Sequence, residues 1–184
     1  KCDFGISFDG DADRVVAVDE NGLIIRSDIL ISLFLEELLV DGDPVVYDVK
    51  CSKALEETIV KFSGKPIMSK TGHSHIKNKM IETKAKIGGE MSGHIFFADK
   101  YFGYDDGIYV ALRLAELLSN KNVQLSKLVK KIPKYISTPE IRIDCNTDEE
   151  KTEIVSLAIE YFKNNYHCDL TDGVRIQFDD GWGL

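Results

Sequence analysis

The run Asp9-Gly10-Asp11-Ala12-Asp13-Arg14 puts three carboxylates at alternate positions with only Gly and Ala between them. Small spacers let the backbone turn tightly, so three oxygens can converge on one point. Carboxylates that close repel one another unless a cation sits between them. Hard oxygen ligands suit Mg²⁺ or Ca²⁺, not zinc or copper. Arg14 adds a rigid cationic fork, suited to a phosphate or to one of the carboxylates. Two other readings stand beside this one. An acidic surface turn has the same composition, because Asp and Gly dominate turns. An EF-hand would use Asp9, Asp11, Asp13 and Glu20 as its first, third, fifth and twelfth positions, but its sixth requires Gly and is Arg14. The flanks also read as strands where an EF-hand needs helices.

A second loop, Gly88-Gly89-Glu90-Met91-Ser92-Gly93-His94, precedes the apolar run Ile95-Phe96-Phe97. Its glycines allow close backbone approach. Glu90, Ser92 and His94 alternate, so an extended loop would point all three one way. A carboxylate, a hydroxyl and an imidazole form a comb for neighbouring sugar hydroxyls. A Gly-rich hairpin with incidental polar groups is the alternative.

Cationic positions lie between these loops. Lys50 directly follows an apolar strand-like run, and ligand groups in open α/β sheets come from the carboxyl ends of strands. Lys70 and His73 bracket Thr71-Gly72 just before a helix, whose N-terminus favours an anion. Lys50 and His73 are candidates for binding phosphate or moving a proton. The lysines at 77, 79, 84 and 86 read as a solvated helix face.

These loops need a scaffold. Residues 2–8 and 15–18 read as strands around the acidic loop. Ser27 or Asp28 can cap a helix to about residue 40. Residues 45–49 form a short apolar strand of the kind buried in a parallel sheet. Ser52 can cap the next helix, residues 66–69 make a strand, and Ser74 can cap a helix to about residue 83. Residues 95–98 make a strand, and helices follow over 107–119 and 125–132. This alternation predicts an α/β fold of βαβ units with a mixed or parallel sheet in a three-layer arrangement. Pro133 and Pro139 flank a change of pattern: an alternating strand over 140–144, a capped helix over 147–165 and a strand over 174–178. The expected division is 1–24, ending a partial domain with the acidic loop; 25–135, the α/β domain with the Gly-rich loop; and 136–184, a partial α+β domain.

The 184 residues, 43% of them hydrophobic, are enough to bury a core. The 31 acidic residues against 23 basic ones give a formal charge of −8, without the basic stripe of a nucleic-acid binder. No apolar run has the length of a membrane span, and none resembles a signal peptide. Cys2, Cys51, Cys145 and Cys168 have irregular spacing and no CxxC, which points to a reduced, cytoplasmic setting. The chain opens at Lys1 and closes at Leu184 beside strand-like runs, and so reads as a piece of a longer protein.

Asp-Gly-Asp-Ala-Asp-Arg at 9–14, Asp-Val-Lys-Cys at 48–51, Lys-Thr-Gly-His at 70–73, Gly-Glu-Met-Ser-Gly-His at 89–94 and Phe-Gly-Tyr-Asp-Asp-Gly at 102–107 occur in that order. Together they resemble the α-D-phosphohexomutase superfamily, and within it the bacterial phosphomannomutase/phosphoglucomutase branch. The resemblance covers essentially the whole chain. It implies four domains around a cleft, with a phosphoserine loop, a metal loop, a sugar loop and a phosphate-gripping loop on successive domains. It makes Asp9, Asp11 and Asp13 the Mg²⁺ ligands, sets Arg14 beside the phosphoryl group, and gives Glu90 and Ser92 the sugar hydroxyls. Lys50, His73 and His94 match active-site residues near the sugar and the transferred group. The implied reaction moves phosphate between C1 and C6 of mannose or glucose through a bisphosphate, with Lys50 or His73 as the base. No Ser-His-Asn-Pro loop occurs in the 184 residues, so the chain alone is expected to be inactive without the remaining domains of its parent. Two alternatives are a phosphoglucosamine mutase, whose sugar loop typically has Gln where Met91 stands, and a non-catalytic calcium- or sugar-binding module.

Overall fold

The computed structural model describes residues 2–179 and 181–184. It divides into two compact units, the first running to Lys134 and the second beginning at Tyr135.

The first unit opens with β1 (Phe4–Phe8), β2 (Val15–Asp19) and β3 (Ile24–Ile25), an antiparallel sheet in the order β1-β2-β3. Then come α1 (Ser27–Leu38), β4 (Pro44–Asp48), α2 (Lys53–Lys61), β5 (Lys65–Ser69), α3 (His73–Thr83), β6 (Ile87–Gly89), β7 (Ile95–Phe97), α4 (Gly107–Lys121) and α5 (Leu125–Val129). Strands β4 to β7 form a mixed sheet in the order β5-β4-β6-β7. β4 pairs parallel with β5 and β6, while β7 returns antiparallel to β6.

Alternation along the strands separates two apolar layers. Val45 and Tyr47 of β4, with Ile95 and Phe97 of β7, pack into the larger core with α1, α2, α4 and α5. Val46 and Phe96, one residue out of phase, pack with Ile76 and Met80 of α3. A strand covered on both faces must be apolar at consecutive positions, as β4 is. The larger core also holds Val15 and Ala17 of β2, so the hairpin carrying the acidic loop is packed against the same cluster.

The expected caps carry a correction. Ser27 and Asp28 lie inside α1, behind an N-cap at Arg26, and Ser52 precedes α2 without a side-chain cap bond. The polar groups at 27 and 28 bond instead across to neighbouring loops. α3 begins at His73 rather than beyond Ser74, because Gly72, at φ 124°, turns the chain and accepts the Ile76 N–H at 3.2 Å.

The second unit holds α6 (Asp148–Lys163), β8 (Cys168–Asp169), β9 (Arg175–Gln177) and β10 (Trp182–Gly183), with sheet order β10-β9-β8. Thr147 caps α6, accepting the Glu150 N–H at 3.1 Å, and three acidic residues in the first turn suit the helix N-terminus. The strand expected over 140–144 has no regular structure. Its Ile141 and Ile143 are 82% and 81% exposed, and alternation alone makes no strand without a partner ladder.

Candidate active site

Three parallel strands of the first unit end at one edge. Asp48 of β4 stands opposite Ser69 of β5, and Tyr47 stands opposite Gly89 of β6. Lys50, His73 and Glu90 each follow one of these ends, on the side where open α/β sheets collect ligands.

The acidic loop reaches the Gly-rich loop from the β1–β2 hairpin. Arg14 and His94 form an isolated antiparallel bridge. The Val15 N–H donates to the Gly93 carbonyl at 3.2 Å, and the Gly107 N–H to the Ala12 carbonyl at 3.0 Å. Two glycines permit this approach. A Cβ at Gly107 would lie 2.9 Å from the carbonyl oxygens of both Ala12 and Arg14. At Gly93, with φ +113°, it would lie 3.2 Å from the Arg14 Cβ.

Asp9, Asp11 and Asp13 each offer an oxygen, all within 4.8 Å of one another. Ala12 turns the loop between them at φ 63°, a left-handed conformation that costs on the order of 1 kcal/mol. Arg14 holds Asp9 twice, from its backbone N–H to Oδ1 at 3.2 Å and from Nε to Oδ2 at 2.6 Å. That side-chain bond holds the Asp9 carboxyl below the usual range. Desolvation pushes Asp13 up, and its Oδ1 is buried without a hydrogen-bond partner. Three acceptor-only carboxylates, one with an orphaned oxygen, fit a hard divalent cation. β1 and β2 flank the loop, which excludes an EF-hand.

The Gly-rich loop joins β6 to β7 as a tight turn. Its ends are closed by Glu90 N–H to the His94 carbonyl at 2.9 Å and Gly93 N–H to the Glu90 carbonyl at 3.2 Å. The extended comb is therefore corrected. Glu90 turns inward and is 2% exposed, while Ser92 is exposed. The Glu90 carboxylate accepts the Gly72 N–H and, at 2.9 Å, the Ser92 hydroxyl. One buried carboxylate thus ties the 70–73 loop to the 89–94 loop.

His94 approaches Asp105 Oδ2 at 3.0 Å and Asp13 Oδ2 at 3.6 Å through Nδ1. His73 Nδ1 lies 3.4 Å from the same Asp105 oxygen, and the two rings are 5.8 Å apart. His94 Nδ1 and Asp105 Oδ2 are buried without a formed hydrogen bond. Asp105 is a residue that the sequence reading did not single out. Its only signal was its place in the Phe-Gly-Tyr-Asp-Asp-Gly run. Lys50 is half-buried at the end of β4, and its charge acts on Asp48.

A family model described as phosphoglucomutase/phosphomannomutase, alpha/beta/alpha domain III, matches residues 26–135. The chain belongs to this phosphoglucomutase/phosphomannomutase family. It is 43% identical over 184 residues to the phosphomannomutase/phosphoglucomutase of Pseudomonas aeruginosa, covering 99% of this chain and 40% of that protein. It is 36% identical over 186 residues to the phosphomannomutase of Vibrio cholerae, covering 99% of this chain and 39% of that one. The crystal structure of a phosphoglucomutase/phosphomannomutase family protein from Burkholderia thailandensis superposes with a TM-score of 0.89 at 38% identity, over 98% of this chain and 39% of that chain. The chain thus spans about 40% of the length of the curated relatives it matches. In this member of the family, the two loops singled out by their residue types are joined at Arg14 and His94.

Proposed function

We propose that this chain supplies the metal loop and the sugar loop of a phosphohexomutase that interconverts the 1- and 6-phosphates of mannose or glucose through an enzyme phosphoserine and a bisphosphate. In this reading residues 1–24 end the second domain, 25–135 are the third and 136–184 begin the fourth. The observation that carries the proposal is the joining of the two loops, which sets three carboxylates, Arg14, two histidines and the Glu90–Ser92 pair around one edge of the sheet.

Asp9, Asp11 and Asp13 would hold Mg²⁺. When bound, the ion neutralises charge on the phosphoryl oxygens. The remaining groups work largely by positioning and charge, as phosphoryl transfer demands. Arg14 presents a fixed cation beside the phosphoryl group, at present aimed at Asp9. Ser92 offers an exposed hydroxyl to the sugar, and Glu90 fixes its direction from below. Asp105 orients His94 and His73 with one oxygen. Lys50 and His73 are the two groups placed to accept the sugar hydroxyl proton. Four unpaired cysteines agree with a reduced, cytoplasmic setting. Among the described residues no helix is long and apolar enough to cross a membrane.

Titrating mannose 1-phosphate into the ¹⁵N-labelled chain tests the site. Amide shifts at Gly72, Glu90, Ser92 and His94 are expected. Shifts absent there while calcium alone perturbs residues 9–14 would instead favour a calcium-binding module.

A further inference from the structure

Two buried carboxylates lie beneath the sugar loop, and neither belongs to the site as described so far. Asp28, in the first turn of α1, and Asp48, the last residue of β4, are both 0% exposed. Each bonds to a different part of the chain. Asp28 accepts the Arg26 guanidinium at 2.9 Å, the Ile29 N–H at 2.9 Å and, across the sequence, the Ser52 N–H at 2.9 Å. Asp48 accepts the Cys51 thiol at 3.0 Å and the Met91 N–H at 3.3 Å through Oδ1. Its other oxygen is buried without a hydrogen-bond partner.

Met91 is where these bonds meet. Asp48 holds its N–H, the Ser27 hydroxyl donates to its carbonyl at 3.3 Å, and Arg26 Nη2 reaches its sulfur at 3.5 Å. Met91 separates Glu90 from Ser92. The same two carboxylates hold the turn that carries Lys50, one through Cys51 and the other through Ser52. Burying two acids there is costly unless their bonds are used. Desolvation accordingly pushes the Asp48 carboxyl up, and burial pushes the Cys51 thiol well up.

We infer that Asp28 and Asp48 are positioning residues that lock the Lys50 turn and the sugar loop to the start of α1, with Met91 as the shared anchor. The inference deepens the proposed sugar site and rests on that reading for its functional meaning. It also explains why the cap-like Ser27 makes no cap bond: its hydroxyl serves this lock.

Hydrogen exchange and mannose 1-phosphate titration of the 184-residue chain test it. Asp48→Ala removes the acceptor of the Met91 amide, so exchange at Met91 should accelerate about three- to tenfold. Affinity for mannose 1-phosphate, read at the Ser92 amide, should weaken on the order of tenfold, because a misplaced clamp loses its geometry. Asp48→Asn keeps an oxygen acceptor and should bring both quantities back to within about twofold of the original, which loss of bulk packing would not predict. If Asp48→Ala does not fold, Ser27→Ala removes the bond to the Met91 carbonyl and should loosen the same amide. Unchanged Met91 exchange in a folded Asp48→Ala or Ser27→Ala chain overturns the lock, as does failure of Asp48→Asn to restore it. If the unaltered chain shows no Ser92 response to mannose 1-phosphate, the sugar reading fails, and Met91 exchange still decides the lock.

Discussion

The acidic loop and the Gly-rich loop touch, yet they are built in opposite ways. Residues 9–14 stand at the tip of a hairpin, with Asp11 and Arg14 exposed and Asp9 restrained chiefly by Arg14. Residues 89–94 are held from beneath, with Glu90 and Gly93 buried and Met91 fixed at three atoms. One loop is a set of neighbouring carboxylates at the surface, with Arg14 as the chief side-chain partner. The other is preorganised by the protein interior. A cation site gains from carboxylates that repel until the ion arrives, whereas a sugar clamp gains from hydroxyls and carboxylates fixed in advance.

The contrast breaks most sharply at Glu90. Glu90→Ala leaves the Gly72 N–H without its acceptor and removes the link between two loops. A loss of about 1–3 kcal/mol in denaturant unfolding is expected, together with loss of the mannose 1-phosphate response. A neutral outcome would mean that the loop is not preorganised by this carboxylate. Asp11→Ala should do the reverse. Mg²⁺ binding by calorimetry should disappear while stability changes by less than about 0.5 kcal/mol, as for an exposed position. Retained metal affinity would remove the three-aspartate assignment.

Asp105→Asn tests the join between the loops. It weakens the attraction to both imidazoles, so the ¹⁵N shifts of His73 and His94 should move together while Met91 exchange stays unchanged. Movement of one ring alone would mean that the carboxylate serves only that ring. The smallest effect belongs to Arg14→Gln. The Asp9 carboxyl is held low in the folded chain, so the pair contributes above the unfolded value of about 3.9 and is lost as pH falls through the lower folded value. A slight drop in melting temperature at neutral pH, vanishing as the pH falls below the lowered folded value of Asp9, is expected. A deficit that persists at acid pH would assign Arg14 a structural role independent of Asp9.

The legible parts of this chain were those with local signals. The apolar run of β4, the stripe Val110, Leu114 and Leu117 of α4 and the Thr147 cap of α6 each follow from spacing or residue type within one element. β6 was hidden, because Gly88 and Gly89 read as loop yet sit in a strand. Space decides that: a Cβ at Gly88 would lie 2.7 Å from the Met80 sulfur, and one at Gly89 2.7 Å from the His94 carbonyl oxygen. Within the site, residue types named the carboxylates, the histidines and Glu90. They could not say that Glu90 faces inward, or that Asp105 and Asp48 stand behind the groups in view. Those facts depend on partners far along the chain, such as Met91 for Asp48.

The most direct measurement replaces the aligned stretch of the 43%-identical Pseudomonas aeruginosa phosphomannomutase/phosphoglucomutase with these 184 residues. Formation of mannose 6-phosphate from mannose 1-phosphate is then followed in a coupled assay with Mg²⁺ and a trace of hexose bisphosphate. The expected result is turnover by the chimera, a drop of at least about tenfold with Glu90→Ala, and none by the 184-residue chain alone, in which no Ser-His-Asn-Pro loop occurs. A folded chimera without turnover, or a lone chain as active as the chimera, would contradict the assignment of these loops to a phosphohexomutase site.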